Sequence, residues 1–137
     1  MSFKIQPVSY FNLTVKDEPG EAYNLLSLLA QAGIDLQAFN AIPIGPSSTQ
    51  LTLFPENEEL FLKEAEKNNM KVEGPNRAIL VQGDDELGAL REVHHRLFDA
   101  KVNVYACNGV SDGEGDFGYI IYVRPDAFEK AQKALGL

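Results

Sequence analysis

Apolar residues recur along this chain with two periods, and the switches between the periods mark its elements. Phe3 to Gln6 alternates apolar and polar and stops at Pro7, a short strand. Ser9 to Val15 is a stronger strand, with aromatic and β-branched content. Ala22, Leu25, Leu26 and Leu29 then fall at helical spacing, widened by Leu28 and Ala32, and Gly33 is placed to end that helix. Ile34 to Ile42 reads as a strand with Leu36, Ala38 and Ile42 on one face and Phe39 on the other. Pro43 to Ser48 is a turn cluster, and Gln50 to Phe54 returns as a strand. Glu58 to Asn68 is a charged helix that buries Leu60, Phe61 and Ala65. Met70 to Glu73 is a short strand closed by Gly74-Pro75.

The same series begins again. Arg77 to Gln82 is a strand, and Leu90, Val93, Leu97 and Phe98 mark a helix stripe. Val102 to Val110 and Phe117 to Val123 are strands around the turn Ser111 to Asp116, and Pro125 to Leu135 is a helix. Identities recur 68 residues apart: Leu29 with Leu97, Ala32 with Ala100, Ala38 with Ala106, Asn40 with Asn108 and Gly45 with Gly113. The register blurs in the last helix, where Pro55 and Pro125 stand 70 apart.

Each copy turns on an acidic, glycine-bearing corner between its first strand and first helix. These corners are Asp17-Glu18-Pro19-Gly20 and Asp85-Glu86-Leu87-Gly88. Strand, helix, strand, strand, helix, strand is a split order that lets two helices cover one face of an antiparallel sheet. The predicted class is α+β: two ferredoxin-like βαββαβ repeats with helices on one face, paired side by side into one extended sheet. The first repeat spans 9–75 and the second 76–137. The second lacks a last strand, and residues 3–6 either fill that sheet edge and lock the halves together or fold as a hairpin onto Ser9 to Val15.

Composition narrows the chemistry. A hydrophobic fraction of 45% is that of a globular protein, and 137 residues suit one ordinary domain or two very small ones. Net charge is −8, which argues against nucleic acid and anionic membrane surfaces as partners. Cys107 is the single cysteine, so no internal disulfide forms and a cysteine-based zinc site is not expected. The polar N-terminal stretch and the lack of a long apolar run lead to the expectation of a soluble, cytoplasmic protein.

A corner of the form Asp-x-Pro-Gly, a helix, then Gly33-Ile34-Asp35-Leu36, all within a split βαβ repeat, resembles the ACT domain family. The resemblance covers nearly the whole chain as two tandem domains and is weaker in the second corner, where Leu87 replaces the proline. It implies a free-standing sensor or adaptor with no catalytic residues, metal or cofactor. It implies an amino-acid effector, pairing into a homo-oligomer such as a dimer, and a regulated protein partner. The implied ligand-binding residues are Asp17, Glu18, Pro19, Gly20 and Asp35, with Asp85, Glu86, Leu87, Gly88 and Asn103. If the repeats pair with each other, the Asp17 corner combines with Asn103 and the Asp85 corner with Asp35.

Elementary chemistry agrees with that implication. A helix N-terminus suits a carboxylate, a glycine admits close approach to backbone, and an adjacent acid suits an ammonium. Simpler roles stand beside it: Asp17 and Asp85 as helix N-caps, Gly20 and Gly88 as turn residues. His94 aligns with Leu26 on the apolar stripe and His95 points outward, so the pair is a poor chelate and His94 reads as a hydrogen-bonded histidine. Cys107 aligns with Phe39 and reads as a packed thiol. Asp112 to Asp116 lacks the spacing of a calcium loop and reads as a hairpin turn. Asn40 and Asn108 satisfy sheet-edge backbone or touch ligand. Two other functions compete with the sensor: a ligand-free interaction module, and, last, an enzyme, for which no nucleophile–base set, metal cluster or phosphate loop is evident.

Overall fold

Helices form here where an apolar stripe can be laid on a sheet, and the chain does this around two separate cores. The computed structural model describes residues 3–137; Met1 and Ser2, the start of the polar N-terminal stretch, lie outside the described residues. The elements are β1 (Phe3–Lys16), α1 (Glu21–Gln31), β2 (Leu36–Pro43), β3 (Ser48–Pro55), α2 (Glu58–Lys67), β4 (Glu73–Asp84), α3 (Ala89–Asp99), β5 (Ala106–Ser111), β6 (Asp116–Tyr122) and α4 (Phe128–Ala134), with a 3-10 turn at Pro125–Ala127 before α4. They fall into two compact units. One is Ser9–Asn76; the other joins Arg77–Leu137 to the residues up to Val8.

In the Ser9–Asn76 unit, β3 pairs antiparallel with both β1 and β2, so that Phe11 and Phe39 both stand opposite Leu53. Leu25 and Leu29 of α1 and Phe61 of α2 close the core over Phe11, Leu51 and Leu53. Phe11 and Phe61 stack as a tilted pair, 4.8 Å between ring centres. The Asn57 side chain caps α2 by accepting from Leu60 N–H at 3.0 Å. In the other unit β6 pairs antiparallel with β4 and β5. Val93 and Leu97 of α3 and Phe128 and Ala131 of α4 cover Ile79, Val81 and Ile121, and Ile5 of β1 packs against this same core. The strand order within the unit is β1–β4–β6–β5, which leaves β5 at the edge.

Four expectations are corrected. Pro7 does not end a strand, because β1 runs unbroken from Phe3 to Lys16; proline deletes one backbone donor but keeps an extended φ. Met70 to Val72 is a connection, and Gly74-Pro75 lies inside β4 rather than closing a strand. A Cβ at Gly74 would stand 2.8 Å from the Phe11 ring and 2.9 Å from the Tyr10 carbonyl oxygen, so the glycine is there for close approach, not as a stop. Leu36 and Phe39 both pack against the core, because the register shifts between Leu36 and Ala38 and a bulge resets the alternation. Phe98 is 76% exposed: its neighbour Leu97 takes the core position, and adjacent helical residues do not share a face.

The 68-residue repeat persists in the backbone. Asp17 N–H donates to Ser47 O at 2.9 Å, and Asp85 N–H to Gly115 O at 2.7 Å. Ile34 N–H donates to Leu29 O, and Val102 N–H to Leu97 O, both at 2.9 Å. Phe39 opposes Leu53 as Cys107 opposes Ile121. Gly20 and Gly88 have φ of 89° and 80°, and Gly45 and Gly113 have 78° and 79°. A chemical mismatch among these left-handed positions follows the first helix of each copy: Gly33 (φ 75°) corresponds to Lys101 (φ 59°). A left-handed residue with a Cβ is strained by roughly 1–2 kcal/mol, partly offset by the greater freedom of glycine in the unfolded chain. Lys101→Gly should therefore raise the urea-unfolding midpoint, a gain of about 0.5–1 kcal/mol. A lowered midpoint would show that the lysine side chain contributes more than its backbone strain removes.

Candidate functional site at the second strand-to-helix corner

The corner between β4 and α3 is built by its backbone. Gly88 occupies the N-cap position in the left-handed conformation, with no side chain capping the helix, and Gly20 does the same for α1. Asp17 and Asp85 are thus not N-caps. The Asp85 carboxylate instead accepts from the Ser111 hydroxyl at 3.0 Å, which ties the corner to the end of β5. Behind it Glu86 N–H donates to Asp84 O at 2.9 Å, and Ala89 N–H to Glu86 O at 3.0 Å, a tight double turn.

A cavity of about 610 Å³ opens beside this corner. Asp85, Glu86, Leu87 and Gly88 all line it, and α3 adds its first residues as far as Arg91. The opposite wall comes from β5 and β6, through Gly109, Ser111, Phe117 and Tyr119. Chemically it combines two carboxylates, one guanidinium, the hydroxyls of Ser111 and Tyr119 and a largely apolar lining. The rim residues Leu87 and Val110 are exposed to water, Leu87 completely.

The remaining predicted residues are placed as follows. Asp17, Glu18 and Pro19 are exposed at the equivalent corner of the Ser9–Asn76 unit, next to Gly20. Asp35 and Asn103 are exposed in the connections after α1 and α3, and Asn103 is not among the residues around the 610 Å³ cavity. The Asp35 carbonyl accepts from Glu56 N–H at 2.9 Å. Among the described residues no group of three or more His, Cys, Asp or Glu is placed to hold a metal ion, and no helix is long and apolar enough to cross a membrane. In the turn at 112–116, Asp112 Oδ1 accepts from Glu114 N–H at 2.7 Å and from Asp116 N–H at 3.1 Å, so its carboxylate serves the hairpin.

Tyr119 was not singled out by the sequence pattern, yet it connects the cavity wall to two other side chains. Its hydroxyl shares a 2.7 Å hydrogen bond with His94 Nε2, and Cys107 lies beside it. The reading of Cys107 as a packed thiol is corrected: it is exposed, as is every residue of β5. β5 is the edge strand of its unit, and at the matching position it carries this short thiol where Phe39 packs against the core of the other unit. What could have located the pair is its departure from the repeat, where His94 replaces Leu26 and Tyr119 replaces the buried Leu51.

Burial, and after it the hydrogen bond and charge of Cys107, push the Tyr119 hydroxyl above its ordinary value of 10.0. The native state therefore favours the neutral phenol. That contribution is intact below pH 10 and is lost as pH rises further, because the unfolded chain ionises first. Tyr119→Phe should lower stability at neutral pH but flatten its decline between about pH 9.5 and 11, followed by urea melts across that range. Parallel declines in both proteins would refute the shift.

No family model and no curated protein matches this chain. Solved structures do. A protein from Bacteroides thetaiotaomicron superposes with a TM-score of 0.80 over 96% of this chain and 88% of its own, at 16% identity. The regulatory subunit of aspartate kinase from Thermus thermophilus, in its ligand-free form, gives 0.66 over 98% and 94%, also at 16% identity. A C-terminal regulatory domain of aspartate kinase from Porphyromonas gingivalis gives 0.57 over 98% and 95%, at 10% identity. Identities this low establish fold alone. With the repeated βαββ hydrogen-bond pattern, they identify the architecture: this chain is built on the ACT-domain fold, written twice.

Proposed function

We propose that this protein is a non-catalytic regulatory module that binds an amino acid at the Asp85–Gly88 corner. The observation that carries the reading is the 610 Å³ cavity at that corner, where carboxylates and a guanidinium meet an apolar wall. An ammonium is attracted to Asp85 and Glu86, and a carboxylate to Arg91 and to the first turn of α3, which no side chain caps. Support from fold is by analogy: two of the structures it resembles are regulatory parts of aspartate kinase. In this reading the exposed edge strand and helix flanks serve pairing with a second copy and with the protein that is regulated. The acidic surface disfavours nucleic acid.

A thermal-shift screen of the full chain against the twenty amino acids tests the proposal. A ligand at about 100 times its dissociation constant adds ~2.7 kcal/mol and a clear rise in melting temperature. The rise should vanish in Arg91→Glu and persist in Gly20→Ala. A flat screen, with a control ligand–protein pair responding, would reject the amino-acid sensor in favour of the ligand-free interaction module.

A further inference from the structure

The two units share a backbone but differ where the cavity lies. At positions 68 apart, Tyr23, Leu26, Ala41, Pro43 and Leu51 of the Ser9–Asn76 unit correspond to Arg91, His94, Gly109, Ser111 and Tyr119. Across the β5–β6 pair Gly109 faces Tyr119 and Ser111 faces Phe117. Directly opposed residues of an antiparallel pair share one face. It is the face covered by α3, since Tyr119 belongs to the core beneath that helix and Phe117 packs against it. Gly109 therefore forms the floor. A Cβ there would stand 2.5 Å from the Tyr119 ring and 2.8 Å from Gly118 O, so the bare backbone is what lets the ring lie across the strand.

The result is a surface of two aromatic rings beside the bare backbone of Gly109, bounded by Leu87 and Leu90. Asp85 and Ser111, 3.0 Å apart, form its polar corner, and Arg91 lies on the helix wall. A small polar ligand would leave the apolar walls wet. An anionic side chain would meet Asp85 and Glu86. A flat or branched apolar side chain meets neither penalty and stacks on Phe117 and Tyr119.

We infer that this cavity selects amino acids with a large apolar or aromatic side chain; the inference rests on the amino-acid reading above and adds the ligand class. Titration calorimetry on the full chain with phenylalanine, leucine, alanine and aspartate tests it. Phenylalanine or leucine should bind at least about tenfold more tightly than alanine or aspartate. Ser111→Leu, at an exposed position on the cavity face of β5, should weaken that binding by about tenfold or more while keeping the far-UV circular dichroism of the folded protein; the lost hydroxyl bonds to Asp85 and Gly113 lower the melting temperature. Leu87→Asp, at a fully exposed rim position, should weaken it too, and decides the matter should Ser111→Leu fail to fold. Tighter binding of alanine or aspartate would overturn the ligand class and leave the amino-acid site standing. Binding of none of the four, nor of any amino acid in the thermal screen, would overturn both. Phenylalanine or leucine binding undiminished in a folded Ser111→Leu, or in Leu87→Asp, would place the ligand elsewhere and also overturn the inference.

Discussion

One backbone hydrogen bond, made twice, fixes the corners on which this chain depends. Asp17 N–H reaches Ser47 O, and Asp85 N–H reaches Gly115 O. Each bond ties the end of one strand to the hairpin that joins the next two strands of its unit. The chain must then turn sharply into a helix, and it does so through a left-handed glycine at the N-cap. That residue has no side chain with which to cap the helix, so backbone carbonyls take on the capping: Ala89 N–H donates to Glu86 O at 3.0 Å and Arg91 N–H to Gly88 O at 3.1 Å. In the unit that holds Arg77–Leu137, the 610 Å³ cavity lies beside this corner.

On this common frame the two units carry different chemistry. The Ser9–Asn76 unit has a buried leucine at 51 and an exposed one at 26, whereas a hydrogen-bonded His94–Tyr119 pair takes those places in the other unit. A buried tyrosine in place of Leu51 keeps the interior satisfied only if its hydroxyl finds a partner, and it meets half-buried His94 at 2.7 Å. Loss of the side chain at Gly109 completes the change by giving the Tyr119 ring its space. On the repeated scaffold, the residues that differ between the copies on one face of α3, β5 and β6, among them Arg91, Gly109, Ser111, Phe117 and Tyr119, line the cavity.

The fold was largely legible because its signals are periodic. The stripes of α1 and α2, the glycine after α1 and the 68-residue spacing are all local patterns, and they survive in the structure. Errors arose where one residue was made to stand for a break. Pro7, Gly74 and Pro75 read as stops, but a proline can lie within a strand and a glycine can serve close packing. The bulge after Leu36 was invisible because alternation assumes regular register. At the site, the Asp85–Gly88 corner was legible from its motif. The wall formed by Gly109, Phe117 and Tyr119 was not, because these residues come together only through cross-strand pairing. Their trace in the sequence is negative: they are positions where the second copy departs from the first.

The central claim is that the second corner, with its β5–β6 wall, is where a small ligand acts. Backbone ¹⁵N–¹H NMR spectra of the full chain, recorded during titration with phenylalanine, test it most directly. The account predicts saturable shifts concentrated at the amides of Glu86 to Arg91, Gly109 and Tyr119, with Glu18 to Asn24 little changed. Shifts centred on Glu18 to Asn24, or none at the second corner at saturating ligand, would contradict it.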